Sequence, residues 1–295
     1  MRIVATILMR EEHDVAAVTL EHLRQQGVDH VIVTDNASVG PVRQVIRDYA
    51  DAGFVTVIDE PRDDYAQSEW VTRMARMAAS DLAAQWILNC DNDEFWTPKD
   101  RSLTLRKVIE TFGPDTGKVR ALRRNYLGRA GATGPWHRRL VWRDELTLSE
   151  RGTALAPKLL HRADPDVTVA QGNHDADGPT LGGFTDDQPI EVLHVPMRSW
   201  AQFRAKIAMG GAAHERSGMP AEVGWHWRAD YERLKAGTLE PIYRRRASLT
   251  TAQIVVGRAG GTIHHDVWLR DHVESLVPDA LISERLIEAL GVADS

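Results

Sequence analysis

Trp86-Ile87-Leu88-Asn89-Cys90-Asp91-Asn92-Asp93-Glu94-Phe95 is the stretch on which the fold turns. Its first half, apolar but for Asn89, reads as a short buried strand over residues 86–89, and the acidic run marks that strand's end. Alternate residues of an extended chain share a face, so Asp91 and Asp93 leave the strand on one side and converge on a point beyond it.

Upstream, similar β-rich runs at residues 3–8, 30–34 and 55–59 predict three more strands. Between them Ala16, Leu20 and Leu23 form one helical stripe, and Val42, Val45, Ile46 and Tyr49 a second. A third helix over 68–83 carries Val71, Met74, Ala78 and Leu82 on one side, and Asp14 and Ser38 stand where N-caps belong. The alternation predicts an α/β fold with a Rossmann-type, mostly parallel sheet flanked by helices. Right-handed crossovers then bring the strand ends to one edge, where open α/β sheets bind ligands. Three polar clusters fall there: Arg10-Glu11-Glu12, Asp35-Asn36-Ala37-Ser38 and Asp91-Asn92-Asp93-Glu94.

Beyond about residue 115 the periodic signal weakens. Loop-rich stretches at 128–135, 172–179 and 182–189 alternate with short apolar runs such as 167–170 and 190–195, and helical spacing returns over 200–209 and 280–290. The whole chain has 295 residues, 43% hydrophobic and 26% charged, which is a globular balance with no repeat. A formal charge of -6 argues against nucleic acid as a partner. The basic clusters Arg120, Arg123, Arg124, Arg129 and Arg244 to Arg246 read most simply as solvated faces or helix ends. The apolar start is broken at Arg10, too early for a membrane span or a signal peptide. A single cysteine, Cys90, rules out an internal disulfide, suits a reducing cytoplasm, and reads as a small core residue.

Two carboxylates at a strand end suit a hard cation, Mg²⁺ or Mn²⁺, which takes its remaining ligands from water and a substrate's phosphates. Such an ion neutralises charge on a departing nucleoside diphosphate. The order Arg10-Glu11-Glu12, then Asp35-Asn36-x-Ser38, then Asp91-Asn92-Asp93-Glu94-Phe95 resembles the family 2 glycosyltransferases with the GT-A fold. The bacterial branch that reads Asp-x-Asp-Glu-Phe at its metal site is the most similar. His194-Val195-Pro196-Met197-Arg198-Ser199-Trp200, followed by Phe203 and Lys206, is similar to that branch's His-x-Pro-x-Arg-Ser segment. The resemblance covers about two thirds of the chain. This chain departs from the family at Glu11-Glu12, where Asn-Glu is usual, and at Val39-Gly40, where another Asp is usual.

The resemblance implies transfer of a sugar from a nucleoside diphosphate sugar to a hydroxyl or amine of a small-molecule or glycan acceptor, with inversion. It implies Asp35 and Asn36 at the base or ribose, with Arg10 and Glu12 beside them. Asp91 belongs at the ribose or metal, Asp93 and His194 are metal ligands, and Arg73, Arg198 and Lys206 are donor contacts. Residues 1–115 would form the nucleotide-sugar-binding half, 116–215 the acceptor-binding half of the same domain, and 216–295 a C-terminal helical appendage. A homodimer is compatible with the sequence. Richness in alanine and arginine points to a high-GC bacterium, where such enzymes build cell-envelope glycans or natural products.

The loop Gln171-Gly172-Asn173-His174-Asp175-Ala176-Asp177 offers Asp175 and Asp177 as general bases, although an Asx turn is the competing reading. Gln67, Trp70 and Arg73 recur at helical spacing; Trp70 reads as core. Trp225, His226, Trp227 and Tyr231 are read as packing, and His264-His265-Asp266 as surface. Gly172-Asn173-His174-Asp175 also matches an element of metallophosphoesterases, the sharpest rival, but their Asp-x-His and Gly-Asp-x-x-Asp runs do not occur upstream. A dinucleotide oxidoreductase lacks its Gly-x-Gly-x-x-Gly here. A non-catalytic binding protein would have no use for the aspartate pair.

Overall fold

A computed structural model describes residues 1–63, 66–185, 187–217 and 224–291. In chain order the first half is β1 (Ile3–Met9), α1 (Ala16–Gln25), β2 (His30–Asp35), α2 (Pro41–Asp51), β3 (Val55–Asp59), α3 (Gln67–Ser80) and β4 (Trp86–Asp91). The four strands pair in parallel in the order β3-β2-β1-β4. Strands sandwiched between helices must be apolar on both faces, and β1 is buried throughout except at Leu8. Leu20, Leu23, Val42, Ile46 and Tyr49 of α1 and α2 pack on one face against Ile3, Ala5, Ile7 and Val33. Val71, Met74 and Ala78 of α3 pack on the other against Val4, Ile32 and Ile87. Each of the buried valine, leucine, isoleucine and methionine side chains contributes roughly 1.5–3 kcal/mol.

The two N-cap expectations are corrected. Helix α1 starts after Val15 and α2 after Gly40, neither with a side-chain cap. Asp14 is instead drawn to Arg198, and the Ser38 amide donates to Asp35 Oδ1.

After β4 the chain reverses into β5 (Glu94–Pro98), followed by α4 (Leu105–Ile109), the long β6 (Thr116–Arg129), α5 (Trp136–Arg139), β7 (Trp142–Asp144) and β8 (Lys158–Arg162). A small hairpin of β9 (Thr168–Val169) and β10 (Ala176–Asp177) precedes β11 (Gly183–Phe184) and β12 (Ile190–His194). Antiparallel β8, β6 and β7 continue the sheet from β4, and β12 lies between β5 and β6. Within the third loop-rich stretch, residue 186 lies outside the described residues.

The remainder is α6 (Trp200–Arg216), α7 (Trp225–Lys235), α8 (Leu239–Ala247), β13 (Ser248–Leu249), α9 (Thr251–Ala259), β14 (Ile263–His265), α10 (Trp268–Ser275) and α11 (Ser283–Leu290). This tail is mostly helical, yet it is built into the sheet: β13 pairs with β6 and β14 with β7. Among the described residues no helix is long and apolar enough to cross a membrane.

Candidate active site

Register decides where the polar clusters meet. Leu8 lies beside Asp91 and Met9 beside Asp35, so the chain leaves β1, β2 and β4 at the same level. The turn after β4 is pinned on both sides: Thr19 Oγ1 donates to the Asn92 carbonyl at 2.7 Å and the Val195 amide to the Asp93 carbonyl at 3.0 Å. Three non-glycine residues around it hold left-handed backbone, Glu11 (φ 55°), Ala37 (φ 53°) and Asn173 (φ 63°). Such strain costs of order 1–3 kcal/mol each and concentrates at functional sites. The loops of all three border a cleft of about 1160 Å³ that contains Arg10, Glu12, Asn36, Asp91, Asp93, His194 and Lys206.

Asp93, 2% exposed at its side chain, receives Lys206 Nζ on Oδ2 at 2.6 Å, and Arg198 Nη1 lies 3.8 Å away. Burial alone would raise its pKa, but Lys206 above all holds it well below the ordinary carboxylate range. The other oxygen, Oδ1, faces His194 Nε2 at 3.6 Å. β12 pairs with both β5 and β6, which brings His194 level with Glu94 on one side and Asn125 on the other. Its Nδ1–H donates to Asn125 Oδ1 at 2.7 Å, and burial holds the ring neutral, with its pKa pushed down to about 3 against the opposing pull of Asp93. Nε2 is then a lone-pair nitrogen facing a carboxylate oxygen with no proton to share. An imidazole oriented through its other nitrogen, opposite a carboxylate, is a donor pair matched to a divalent cation.

Asp91 has protein partners of its own. Its Oδ2 takes Lys158 Nζ at 2.5 Å, and its Oδ1 takes Asn173 Nδ2 at 3.2 Å and Gln67 Nε2 at 3.4 Å. Lys158 also reaches Glu94 Oε1 at 3.1 Å and donates to the Gly172 carbonyl at 3.0 Å. Both oxygens of Asp91 are therefore engaged by protein donors, Oδ2 by Lys158 alone, and among the described residues no three His, Cys, Asp or Glu side chains converge on one point. Burial pushes the Glu94 carboxyl up; at Asp91 burial also pushes up, but the charge and hydrogen bond of Lys158, with Lys206, together leave the carboxyl lowered.

Residues 11–129 match the model of glycosyltransferase family 92. The matched stretch runs from the exit of β1 to the end of β6, contains Asp91 and Asp93, and supports an enzyme of the glycosyltransferase class. Among solved structures, S. aureus TarS 1-349 is similar at 13% identity and a TM-score of 0.44, over 98% of this chain and 81% of that one. The same protein in complex with UDP gives 12% and 0.41, over 98% and 83%. A cytidylyltransferase from Leptospira borgpetersenii gives 13% and 0.28, over 43% and 56%. No curated protein matches the chain.

Within this glycosyltransferase-like frame, several expected donor and catalytic residues lie away from the cleft lining. Asp35 is buried, with Oδ1 held by the Ser38 amide and Oδ2 by Arg43 at 3.0 Å, so it braces a loop and does not line the cleft. Arg198 is fully buried beneath the loop after β1, bonding Asp14 at 2.8 Å and Glu12 at 3.2 Å. Arg73 pairs with Glu60 at 3.3 Å, outside the cleft. Asp175 and Asp177 also lie outside it, at the small hairpin, near Lys118 at 3.5 and 4.0 Å. Asp177 is 95% exposed. Arg10, Glu12, Asn36 and Lys206 do line the cleft: Arg10 bonds Asn36 at 3.2 Å, and Glu12 accepts from Lys206 at 3.4 Å. Trp70 is core, as expected, and Cys90 is buried.

Lys158, Asn125 and Asp144 line the cleft without having stood out in the sequence, and Arg123, read as part of a solvated face, lines it too. Arg123, Asn125 and Leu127 are alternate residues of β6 and share the cleft face, whereas Arg124 on the opposite face pairs with Glu145. Period-two reading of 119–127 separates Arg123 from its neighbours, which a cluster count does not. No carboxylate pairs with Arg123 among the described residues; its Nε donates to the Ala156 carbonyl at 3.0 Å. Trp225 and Trp227, read as packing, line the outer end. His174 borders the cleft but its Nδ1 donates to Pro157, and the two-metal cluster of a phosphoesterase has no counterpart among the described residues.

Proposed function

We propose that this protein transfers a glycosyl group, with inversion, from a nucleoside diphosphate sugar to an acceptor hydroxyl or amine. The observation that carries this reading is the lone-pair Nε2 of His194 set opposite Asp93 Oδ1, in a cleft bordered by the ends of β1, β2 and β4. Asp93 and His194 would hold Mn²⁺ or Mg²⁺, which when bound supplies positive charge to the departing diphosphate. Lys206 and Arg123 add fixed positive charge along the same wall and attract phosphoryl oxygens. Asp91, oriented by Lys158 and Asn173, presents its carboxylate as an acceptor for ribose hydroxyls. Arg10 and Asn36 close the nucleotide end. Trp225 and Trp227, with the segment 148–156, form the acceptor end.

The test is thermal melting with UDP, GDP and dTDP, with and without Mn²⁺. A ligand that binds only the folded state raises its stability, by about 2.7 kcal/mol at a hundredfold excess over Kd. One diphosphate should raise the melting temperature by several degrees, more with Mn²⁺ than without. His194→Gln should remove the Mn²⁺ increment while the unliganded protein melts within about 2 °C of wild type. No response to any nucleoside diphosphate, or a Mn²⁺ increment that survives the substitution, contradicts the proposal.

A further inference from the structure

The proposed transfer needs a base on the acceptor side, and the row of residues that holds His194 ends in one. His194 of β12, Asn125 of β6 and Asp144 of β7 stand in register across three neighbouring strands. Directly opposed residues point to the same face of a sheet, with Cβ atoms about 4.5–5.5 Å apart. The His194–Asn125 hydrogen bond and the residues lining the cavity show that this face is the cleft, and Asp144 borders it. The next residue back, Arg143, points to the opposite face and pairs there with Glu191 at 2.8 Å.

The carboxylates around the cleft differ in what they are free to do. Asp91 is held by Lys158, Asp93 by Lys206, Glu12 by Arg198 and Lys206, and Glu150 and Asp230 by Arg246 and Arg233, while Glu11, bonded to the Val39 amide, stands at the nucleotide end beside Arg10 and Asn36. Among the described residues no cation pairs with Asp144: Oδ1 accepts from the Leu146 amide at 3.0 Å, which fixes the side chain, and Oδ2 is left as an acceptor. A carboxylate tied to a cation has its charge already answered, whereas Asp144 keeps Oδ2 open to an incoming O–H within hydrogen-bond reach. Two strand spacings, about 10 Å, separate it from His194. That leaves room between them for a phosphate oxygen, the anomeric carbon and the incoming oxygen in line.

Resting on the glycosyl-transfer reading, we propose that Asp144 is the general base. The acceptor O–H gives its proton to Asp144 Oδ2, and the freed oxygen pair forms the bond to the anomeric carbon. The bond from that carbon to the phosphate oxygen breaks, its electron pair leaving with the nucleoside diphosphate.

Asp144→Asn keeps an oxygen for the Leu146 amide, so the variant should fold. Release of nucleoside diphosphate from UDP-glucose, UDP-N-acetylglucosamine, GDP-mannose and dTDP-glucose would be assayed with Mn²⁺, and UDP and GDP affinity by calorimetry. Expected is a fall in kcat of roughly 10² to 10⁴, the range that general base catalysis contributes, with affinity within twofold. The loss should shrink for a phenolic acceptor, which needs less help to ionise. Turnover within threefold of wild type overturns the assignment, as does affinity that falls in step with kcat, which would make Asp144 a donor contact. A wild-type chain that neither binds the diphosphates nor turns over any donor removes the parent reading, a separate outcome.

Discussion

Lys158 is 1% exposed, and an ammonium so placed persists only if its charge is answered. Asp91 and Glu94 answer it, and they depend on it in return: burial alone would push both carboxyls up, and Lys158 pulls both down. Breaking one partner out of a buried ion cluster typically costs about 3–5 kcal/mol. Lys158→Met is therefore expected to lose on that order of stability in urea unfolding at neutral pH. The triple variant that also carries Asp91→Asn and Glu94→Gln should recover much of it, because the stranded charges are gone. A single variant within about 1 kcal/mol of wild type would show that the cluster is not coupled. The same logic explains why Lys158 was hidden. Nothing local to residues 158–162 announces a partner 67 residues away, and only the antiparallel pairing of β8 with β4 brings them together.

At the level of elements, α1 and α10 meet through two imidazoles. His22 Nε2 donates to the Trp96 carbonyl at 2.7 Å, so its Nδ1 accepts from His272 Nε2 at 2.8 Å, and Trp268 stacks on His272. Burial keeps both rings neutral, lowering His22 well below the usual range and His272 to about 4. The unfolded chain takes up these protons near pH 6.5 and the folded one does not, so between pH 6.5 and 4 unfolding is favoured by proton uptake. The α1–α10 contribution is full above pH 6.5 and drains away as the pH falls towards 4. The urea midpoint should drop over that window, and His272→Phe, which keeps the stack, should flatten the slope; an unchanged slope would remove the pair from the acid response. Elements such as β1, β2, β4 and α3 were legible from the sequence because each carries its burial pattern within a dozen residues. The acidic turn of the site was legible for the same reason. Asp14 misled as a cap because a tertiary partner, Arg198, lies 184 residues away, and Ser38 because α2 begins only at Pro41. The β5–β12–β6 pairing, which sets His194 opposite Asp93, has no local signature at all.

For the whole molecule, the question is whether residues 216–295 are an attachment or part of one cooperative unit. Leu269, Val273, Leu286 and Leu290 are almost fully buried, in one cluster with Val15, Val18 of α1 and Leu193 of β12. At about 1.5–3 kcal/mol for each buried aliphatic side chain, these four contribute roughly 6–12 kcal/mol, as much as the roughly 5–15 kcal/mol by which typical proteins are stable. β14 adds backbone pairing to β7, with Ile263 opposite Asp144, so the tail also braces the acceptor side of the cleft. Calorimetry should therefore show one transition, with van't Hoff and calorimetric enthalpies agreeing. A chain ending at Ala247, which lacks β13, β14, α10 and α11, should lose cooperative melting and the amide protection of α1, although β1 to β4 are intact in its sequence. Two resolved transitions in the full chain, or a sharp melt from the shortened one, would mean that the tail folds as a separate unit and that the cleft does not rely on it.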